Sequence, residues 1–260
     1  MHIYPELKDK VVLITGGTQG IGEAMAHEFA AQKVKLAVNG RKLDAKVQKV
    51  LDDTGAVPAM ADISDTAAAK RAVDEVVAKF GTIDSLICNA AGMTMQPFLK
   101  QDEASWRKQI DINLTGHIAC IQAALPHMLR QKSGSIVIIS SFFGTLGWEN
   151  ASGYGSSKAG LLHLGQFLDR EYRKHGISTC IIIPGVIRTP QLQVDADDLG
   201  VTLDEVCDIY AKDIPMHRVA RPEEIATMTV YMCTKAGGNS LSGRFALVAG
   251  GAYRTTPHYV

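Results

Sequence analysis

Tyr154 and Lys158 lie four residues apart in the stretch SSFFGTLGWENASGYGSSK, and Ser141 stands thirteen residues before the tyrosine. If Tyr154 opens a helix, Lys158 falls one turn on and on the same face. An ammonium beside a phenol favours the phenolate and lowers the phenol's pKa. A phenol tuned in this way can give a proton to a carbonyl oxygen or take one from an alcohol. A serine hydroxyl delivered from a strand end can hold the same oxygen. This is acid–base chemistry without a metal, and it calls for a partner that carries hydride.

The N-terminal quarter offers a place for that partner. The apolar run Lys10–Thr15 is followed at once by Gly16, Gly17, Thr18, Gln19, Gly20, Ile21 and Gly22, and then by a helical pattern over Glu23–Gln32. Strand, glycine turn and helix together set helix N–H groups against a phosphate. The spacing T-G-x-x-x-G-x-G is one residue longer between its first two glycines than the usual dinucleotide turn. A second strand, Val34–Asn39, ends in Gly40-Arg41-Lys42. An acidic residue at that end suits a free ribose 2′-hydroxyl, whereas a basic one suits a 2′-phosphate. Arg41 is the basic residue here, and a guanidinium meets a phosphate with two parallel donors. The expectation is NADP(H), with NAD(H) possible.

These residues need a frame. Further strand patterns cover Ala56–Met60, Ile83–Cys88, Ser135–Ser140, Ile177–Ile183 and Arg244–Val248. Helical patterns cover Leu43–Asp52, Asp65–Phe80, Glu103–Arg130, Tyr154–His175 and Pro222–Thr234, with Pro126 placed to kink the longest. Seven strands alternating with helix-length segments predict an α/β fold, a doubly wound parallel sheet covered on both faces. Ligands of such sheets bind beyond the carboxyl ends of the strands. Gly16, Asn89, Ser141 and Gly185 all follow strand ends, so they are expected to converge. No linker or internal repeat divides the 260 residues, which are read as one domain.

Composition excludes little but agrees. Lys plus Arg and Asp plus Glu both number 27, so net charge gives no argument for nucleic acid or an anionic membrane. Cys88, Cys120, Cys180, Cys207 and Cys233 are scattered through apolar runs, as reduced thiols of a cytoplasmic protein would be. Neither they nor the eight histidines have metal-ligand spacing, and His117 and His163 read as packing or surface residues. MHIYPELKDK has no apolar signal core, and no uncharged apolar run is long enough to span a membrane.

Taken together, Thr15–Gly22, Asp62, Asn89-Ala90, Asn113, Ser141, Tyr154-x-x-x-Lys158, Pro184-Gly185 and Thr189 resemble the short-chain dehydrogenase/reductase family over nearly the whole chain. The resemblance implies a Rossmann-like domain over 1–260 and a tetrad. Tyr154 would be the acid or base, Lys158 its tuner and a binder of the nicotinamide ribose, and Ser141 the holder of the carbonyl oxygen. Asn113 would support a relay water. Gly16, Thr18, Gln19, Gly20, Ile21 and Gly22 would border the pyrophosphate. Asp62 and Ile63 would flank adenine, Asn89 its ribose, and Pro184, Gly185, Ile187 and Thr189 the carboxamide end. It also implies a homotetramer built on the helices at 103–130 and 154–175. One departure is Cys88-Asn89-Ala90-Ala91, where the family usually has Asn-Asn-Ala-Gly; it leads to the expectation that the loop from Gly92 to Gln96 lies differently.

Substrate choice is expected between Ser141 and Tyr154. Phe143 and Trp148 would wall one side of a pocket for an apolar or aromatic ketone or aldehyde, with Met93, Met95, Val186 and Leu192 on the other. A substrate lid is expected over about 190–214, where Asp195, Asp197, Asp198, Asp204 and Glu205 cluster. The reading is an NADPH-dependent carbonyl reductase acting on a small carbonyl or alcohol substrate. Alternatives are a 3-oxoacyl-thioester reductase serving an acyl carrier protein, an NAD-linked sugar or polyol dehydrogenase, and a cofactor-binding regulator without catalysis.

Overall fold

The structure, a computed structural model, describes residues 2–252. The tail 253–260, whose role the sequence leaves open, lies outside them.

The elements run β1 (Val11–Ile14), α1 (Gly20–Ala31), β2 (Lys35–Val38), α2 (Ala45–Thr54), β3 (Val57–Pro58), α3 (Thr66–Phe80) and β4 (Ser85–Cys88). They continue α4 (Glu103–Ile110), α5 (Gly116–Gln131), β5 (Gly134–Ile139), α6 (Ser152–Tyr172), β6 (Ile177–Pro184), α7 (Pro190–Leu199) and α8 (Leu203–Ala211). The last are α9 (Pro222–Cys233), α10 (Lys235–Leu241) and β7 (Phe245–Val248). The seven strands form one sheet in the order β3-β2-β1-β4-β5-β6-β7, and every neighbouring pair is parallel. β1 and β4 are buried at every residue, as they must be with helices on both faces.

Each face has its own core. Ala69, Val73 and Val76 of α3 pack with Ile121 and Met128 of α5 and Leu161 of α6 on one side. Met25 and Phe29 of α1 pack with Val50 of α2 and Ile225 and Val230 of α9 on the other. The chain order reverses between β1 and β4, so their carboxyl ends splay apart and open a crevice there. Local signals fix the flanking helices. Asp44 caps α2 by accepting from Val47 N at 2.9 Å. Asp65 caps α3 through Ala67 N and Ala68 N, and Gly81 ends that helix in a left-handed conformation.

Four elements differ from the sequence expectation. α1 begins at Gly20 rather than Glu23, so the glycines form its first turn. β3 has two residues, as an edge strand held on one side only. The helical run from Glu103 to Arg130 is interrupted at a π turn, Asp111–Thr115, while α5 runs through Pro126. Residues 190–214 hold α7 and α8, the second opened by a capping box between Thr202 and Glu205. These two helices enclose a third, small apolar cluster of Leu192, Ala196, Val206, Cys207, Ile214 and Val219.

Candidate active site

The strand ends bring the expected residues to one edge of the sheet. β5 ends at Ile139, and Ser141 follows in extended backbone, its Oγ accepting from Phe143 N at 3.2 Å. That bond turns the chain into a short 3-10 turn, Phe142–Gly144, which packs against α6. Gly144 permits the approach, since a Cβ there would meet the Lys158 carbonyl carbon at 2.8 Å. α6 opens at Ser152, so Tyr154 and Lys158 lie in its first two turns and face the sheet.

Lys158 is almost wholly buried, at 1% exposure, and its Nζ donates to the Ile139 carbonyl oxygen at 2.9 Å. Burial lowers its pKa to about 8. Its ammonium lies 5.6 Å from the Tyr154 ring centroid, over the face of the ring. Burial also pushes the Tyr154 phenol up to about 12, and the Ser141 side chain, acting as a hydrogen-bond partner, pulls it part of the way back. The pair alone therefore does not produce the lowered phenol expected from spacing. Desolvation disfavours the phenolate, and the ammonium is held by a backbone carbonyl.

Asn113 lies in the π turn and is completely buried. Its amide clamps Gly92 on both sides, with Gly92 N donating to Oδ1 at 2.8 Å and Nδ2 donating to Gly92 O at 2.9 Å. Nδ2 also donates to Ser157 Oγ at 3.0 Å, and that hydroxyl donates to the Tyr154 carbonyl at 2.6 Å. One amide thus ties the loop after β4, the π turn and α6 together. Gly116 closes the turn by donating to Asp111 O and lies so near Ile63 that a Cβ would meet its carbonyl oxygen at 2.2 Å. π turns of this kind collect at functional sites. Asn113 thereby holds the loop at Gly92, its first residue.

The glycine turn is equally tight. Gly16 has φ +63°, and a Cβ on it would strike Ala90 Cα at 2.7 Å. A Cβ on Gly22 would lie 2.0 Å from Gly16 O and 2.8 Å from Asn89 Nδ2. Asn89 Nδ2 itself donates to the carbonyls of Thr15 and Gly16, each at 3.0 Å. Gln19 supplies no side-chain cap to α1. A helix leaves its first N–H groups without intrahelical partners, so this uncapped first turn of Gly20, Ile21 and Gly22 suits an anion.

At the end of β2, Asn39 points inward, donating through Nδ2 to Ala59 O at 2.8 Å and Ala61 O at 3.1 Å. Asn39 carries no signal of this in the sequence, because its partners come near only in the folded chain. Arg41 is exposed beside the same edge and its charge reaches Asp62. The Asp62 carboxyl is held below its usual range first by the Ser64 hydroxyl, which donates at 2.7 Å, with smaller contributions from Lys108 and Arg41.

Phe143 stacks on Trp148 with centroids 5.5 Å apart and meets Tyr154 edge-on at 6.2 Å. These rings form a continuous aromatic wall that ends at the phenol. Trp148 and Met95 are exposed, and Phe143, Met93 and Val186 are partly buried. Leu192 is buried in the third cluster. Thr189 precedes α7, and its side chain would lie 3.4 Å from a Cβ on Gly20, so it borders the glycine turn. Gly185 packs on Ala249, and Ile187 is buried in the core on the α1 side. Among the described residues no group of three or more His, Cys, Asp or Glu side chains could hold a metal ion. No helix there is long and apolar enough to cross a membrane.

The short chain dehydrogenase family matches the chain over residues 10–199. A 3-oxoacyl-[acyl-carrier-protein] reductase of Staphylococcus aureus (strain Mu50 / ATCC 700699) is 31% identical over 250 residues, covering 94% of this chain and 98% of that protein. Cis-4-hydroxycyclohexanecarboxylate dehydrogenase of Sinomonas cyclohexanicum is 32% identical over 247 residues, covering 94% and 96%. Among solved structures, ligand-free aldohexose dehydrogenase of Thermoplasma acidophilum superposes with a TM-score of 0.87 at 25% identity, covering 96% of each chain. Levodione reductase superposes equally well at 27% identity, covering 94% of this chain and 98% of that one.

Proposed function

The chain belongs to the short-chain dehydrogenase family, and from that premise we propose that it is an NADPH-preferring reductase of a cyclic or aromatic ketone. Members of this family are NAD(P)-dependent oxidoreductases of CH–OH and C=O groups. One observation carries the finer reading. Ser141, Tyr154 and Lys158 meet at the end of β5, and an aromatic wall of Phe143 and Trp148 leads to the phenol.

The glycine turn fits a dinucleotide, since its close approaches leave no room for side chains and its helix start is uncapped. Gly16, Thr18, Gln19, Gly20, Ile21 and Gly22 would hold the pyrophosphate, and Asp62, Ile63 and Asn89 the adenosine half. Pro184, Gly185, Ile187 and Thr189 would hold the carboxamide. When bound, the nicotinamide supplies or accepts the hydride. Ser141 holds the carbonyl oxygen and Tyr154 protonates it; the reverse reaction uses the same groups. Lys158 lies over the face of the phenol ring, where it would bind the nicotinamide ribose. Asn113 holds the turn through which a water reaches Lys158.

Arg41 supports NADPH. The end of β2 carries no carboxylate, Asn39 is engaged with Gly16, Ala59 and Ala61, and the exposed Arg41 would meet a 2′-phosphate. α7 and α8, with a small core of their own, serve as the lid over 190–214 of a single-domain enzyme. Phe167, exposed at 64% on α6, marks the face on which a homotetramer would pack, and sedimentation tests it. The five free thiols, all buried, fit a cytoplasmic setting.

The test is a panel of cyclohexanone, 4-oxocyclohexanecarboxylate, an aromatic ketone, an aldohexose and an acetoacetyl thioester, each assayed in its redox direction with NADP(H) and NAD(H). The cyclic or aromatic ketone with NADPH is expected to give the highest kcat/KM. Arg41→Ala should lower that value about tenfold or more, by loss of a charge-assisted contact. A preference for NADH, or an Arg41→Ala variant equal to wild type, removes the cofactor assignment. Best turnover of the thioester moves the reading to the acyl-thioester reductases, to which one relative belongs.

A further inference from the structure

His117 follows Asn113 by one helical turn and is completely buried. Its Nδ1 lies 3.0 Å from the Asn113 carbonyl oxygen, and its Nε2 lies 3.2 Å from Thr15 Oγ1. A carbonyl oxygen only accepts, so Nδ1 carries the hydrogen and Nε2 is left as acceptor. The Thr15 hydroxyl hydrogen must then turn to the ring. The Ile87 carbonyl, 3.0 Å from that hydroxyl, does not depend on it, because Thr15 N already donates there at 2.9 Å. Thr15 Oγ1 in turn accepts from Asn89 N at 2.9 Å and Ala90 N at 3.2 Å. Every polar atom of the ring is satisfied in one tautomer.

We propose that His117 is a positioning residue: a neutral Nδ1–H imidazole that ties the Asn113 carbonyl to the Thr15 hydroxyl, so that the proton-handling turn and the glycine turn keep one register. The catalytic part rests on the reading of Asn113, Tyr154 and Lys158 as the proton route. The ring is kept neutral by its surroundings. Burial, with the Lys158 charge added, pushes its pKa down to about 3. Burial likewise holds the thiols of Cys88 and Cys120 protonated, so neither brings a negative charge to this core. An apolar side chain of similar size would fill the same space but would free two polar groups that now face each other across the ring. Taking one lone pair of the Asn113 carbonyl also fixes the direction from which that oxygen can receive a second partner.

Two variants separate the two bonds. His117→Phe removes both. His117→Asn keeps a donor that can reach back one turn to the Asn113 carbonyl but is too short for Thr15. Nitrogen-15 spectra of the imidazoles, with the His117 signal assigned by its loss in His117→Asn, should show the neutral Nδ1–H form from pH 6 to 9. NADPH titrated by fluorescence should bind about threefold more weakly to both variants. With the best ketone of the panel above, kcat should fall about tenfold in His117→Phe and recover most of the way in His117→Asn.

An Nε2–H tautomer overturns the proposal. So does a folded His117→Phe protein within about twofold of wild type in both kcat and NADPH affinity, or a His117→Asn variant no faster than His117→Phe. If His117→Phe does not fold, the tautomer and the NADPH affinity of His117→Asn decide. A Tyr154→Phe control separates the two claims. Retained turnover there removes the proton route, while the spectra and the NADPH titrations still judge His117.

Discussion

The two sides of the cleft are held by different forces. On the sheet side, Lys158, Asn113, Ser157 and His117 are buried and cross-linked by hydrogen bonds to backbone groups of four separate segments. On the side of the proposed lid, α7 and α8 close over six buried side chains, Tyr210 of α8 donates to Asp195 of α7 at 3.1 Å in a half-buried position, and the other polar ties lie nearer the surface. Arg188 meets Asp204 at 2.7 Å with both side chains well exposed, and Thr202 and Glu205 cap each other in solvent. Buried bonds to fixed partners resist movement because each loss leaves a polar group unpaired. Exposed ion pairs cost little to break. On the proposed function, this difference would let the sheet side fix the reaction and the proposed lid over 190–214 adapt to what is bound.

Three perturbations probe this contrast, in order of size. Ser141→Ala removes the hydroxyl that faces the phenol and should lower kcat about a hundredfold with NADPH binding unchanged. A fall in NADPH affinity of the same size would mean that Ser141 serves the frame rather than the reaction.

The second concerns stability against pH. The His117 pKa is depressed to about 3 in the folded protein, against about 6.5 when unfolded. Between these values the unfolded chain binds the extra proton. Stability from this group is therefore fully present above pH 6.5 and is lost as pH falls toward 3, by about 1.4 kcal/mol per unit. Urea unfolding at pH 6 and pH 5 should show a drop larger by about that amount in wild type than in His117→Asn. Equal drops would mean that His117 is not held neutral. The smallest effect belongs to the lid. Asp204→Ala should change stability by less than about 1 kcal/mol and KM by less than about fivefold. A large loss of kcat would contradict the division between the two sides.

The frame was legible in the chain because it rests on local signals. Apolar runs became buried strands, and Asp44 and Asp65 became caps. The meeting of Ser141, Tyr154 and Lys158 beyond the end of β5 was legible from their spacing, and so was the place of Arg41 after β2. What escaped depends on contacts distant in sequence. The helix expected over 103–130 widens into a π turn where Asn113 clamps Gly92, twenty-one residues away, whereas the visible suspect, Pro126, sits inside an unbroken α5. α1 starts three residues early, and its first-turn glycines Gly20 and Gly22 lie close to Pro190 and Asn89, contacts that no glycine propensity conveys. His117 reads as packing in the sequence, since its partner Thr15 is 102 residues away. The pKa of Tyr154 escaped for the same reason. Spacing shows a lysine one turn on, but burial and the Ile139 carbonyl decide where its ammonium points.

The central claim is that turnover depends on the Tyr154 phenol while the cofactor is bound by other parts of the site. Tyr154→Phe, assayed with NADPH and the best ketone of the panel, measures it most directly. The account predicts a fall in kcat of about a thousandfold with NADPH affinity within about twofold of wild type. A variant that keeps more than about a tenth of wild-type kcat would contradict it, because the proton would then come from elsewhere.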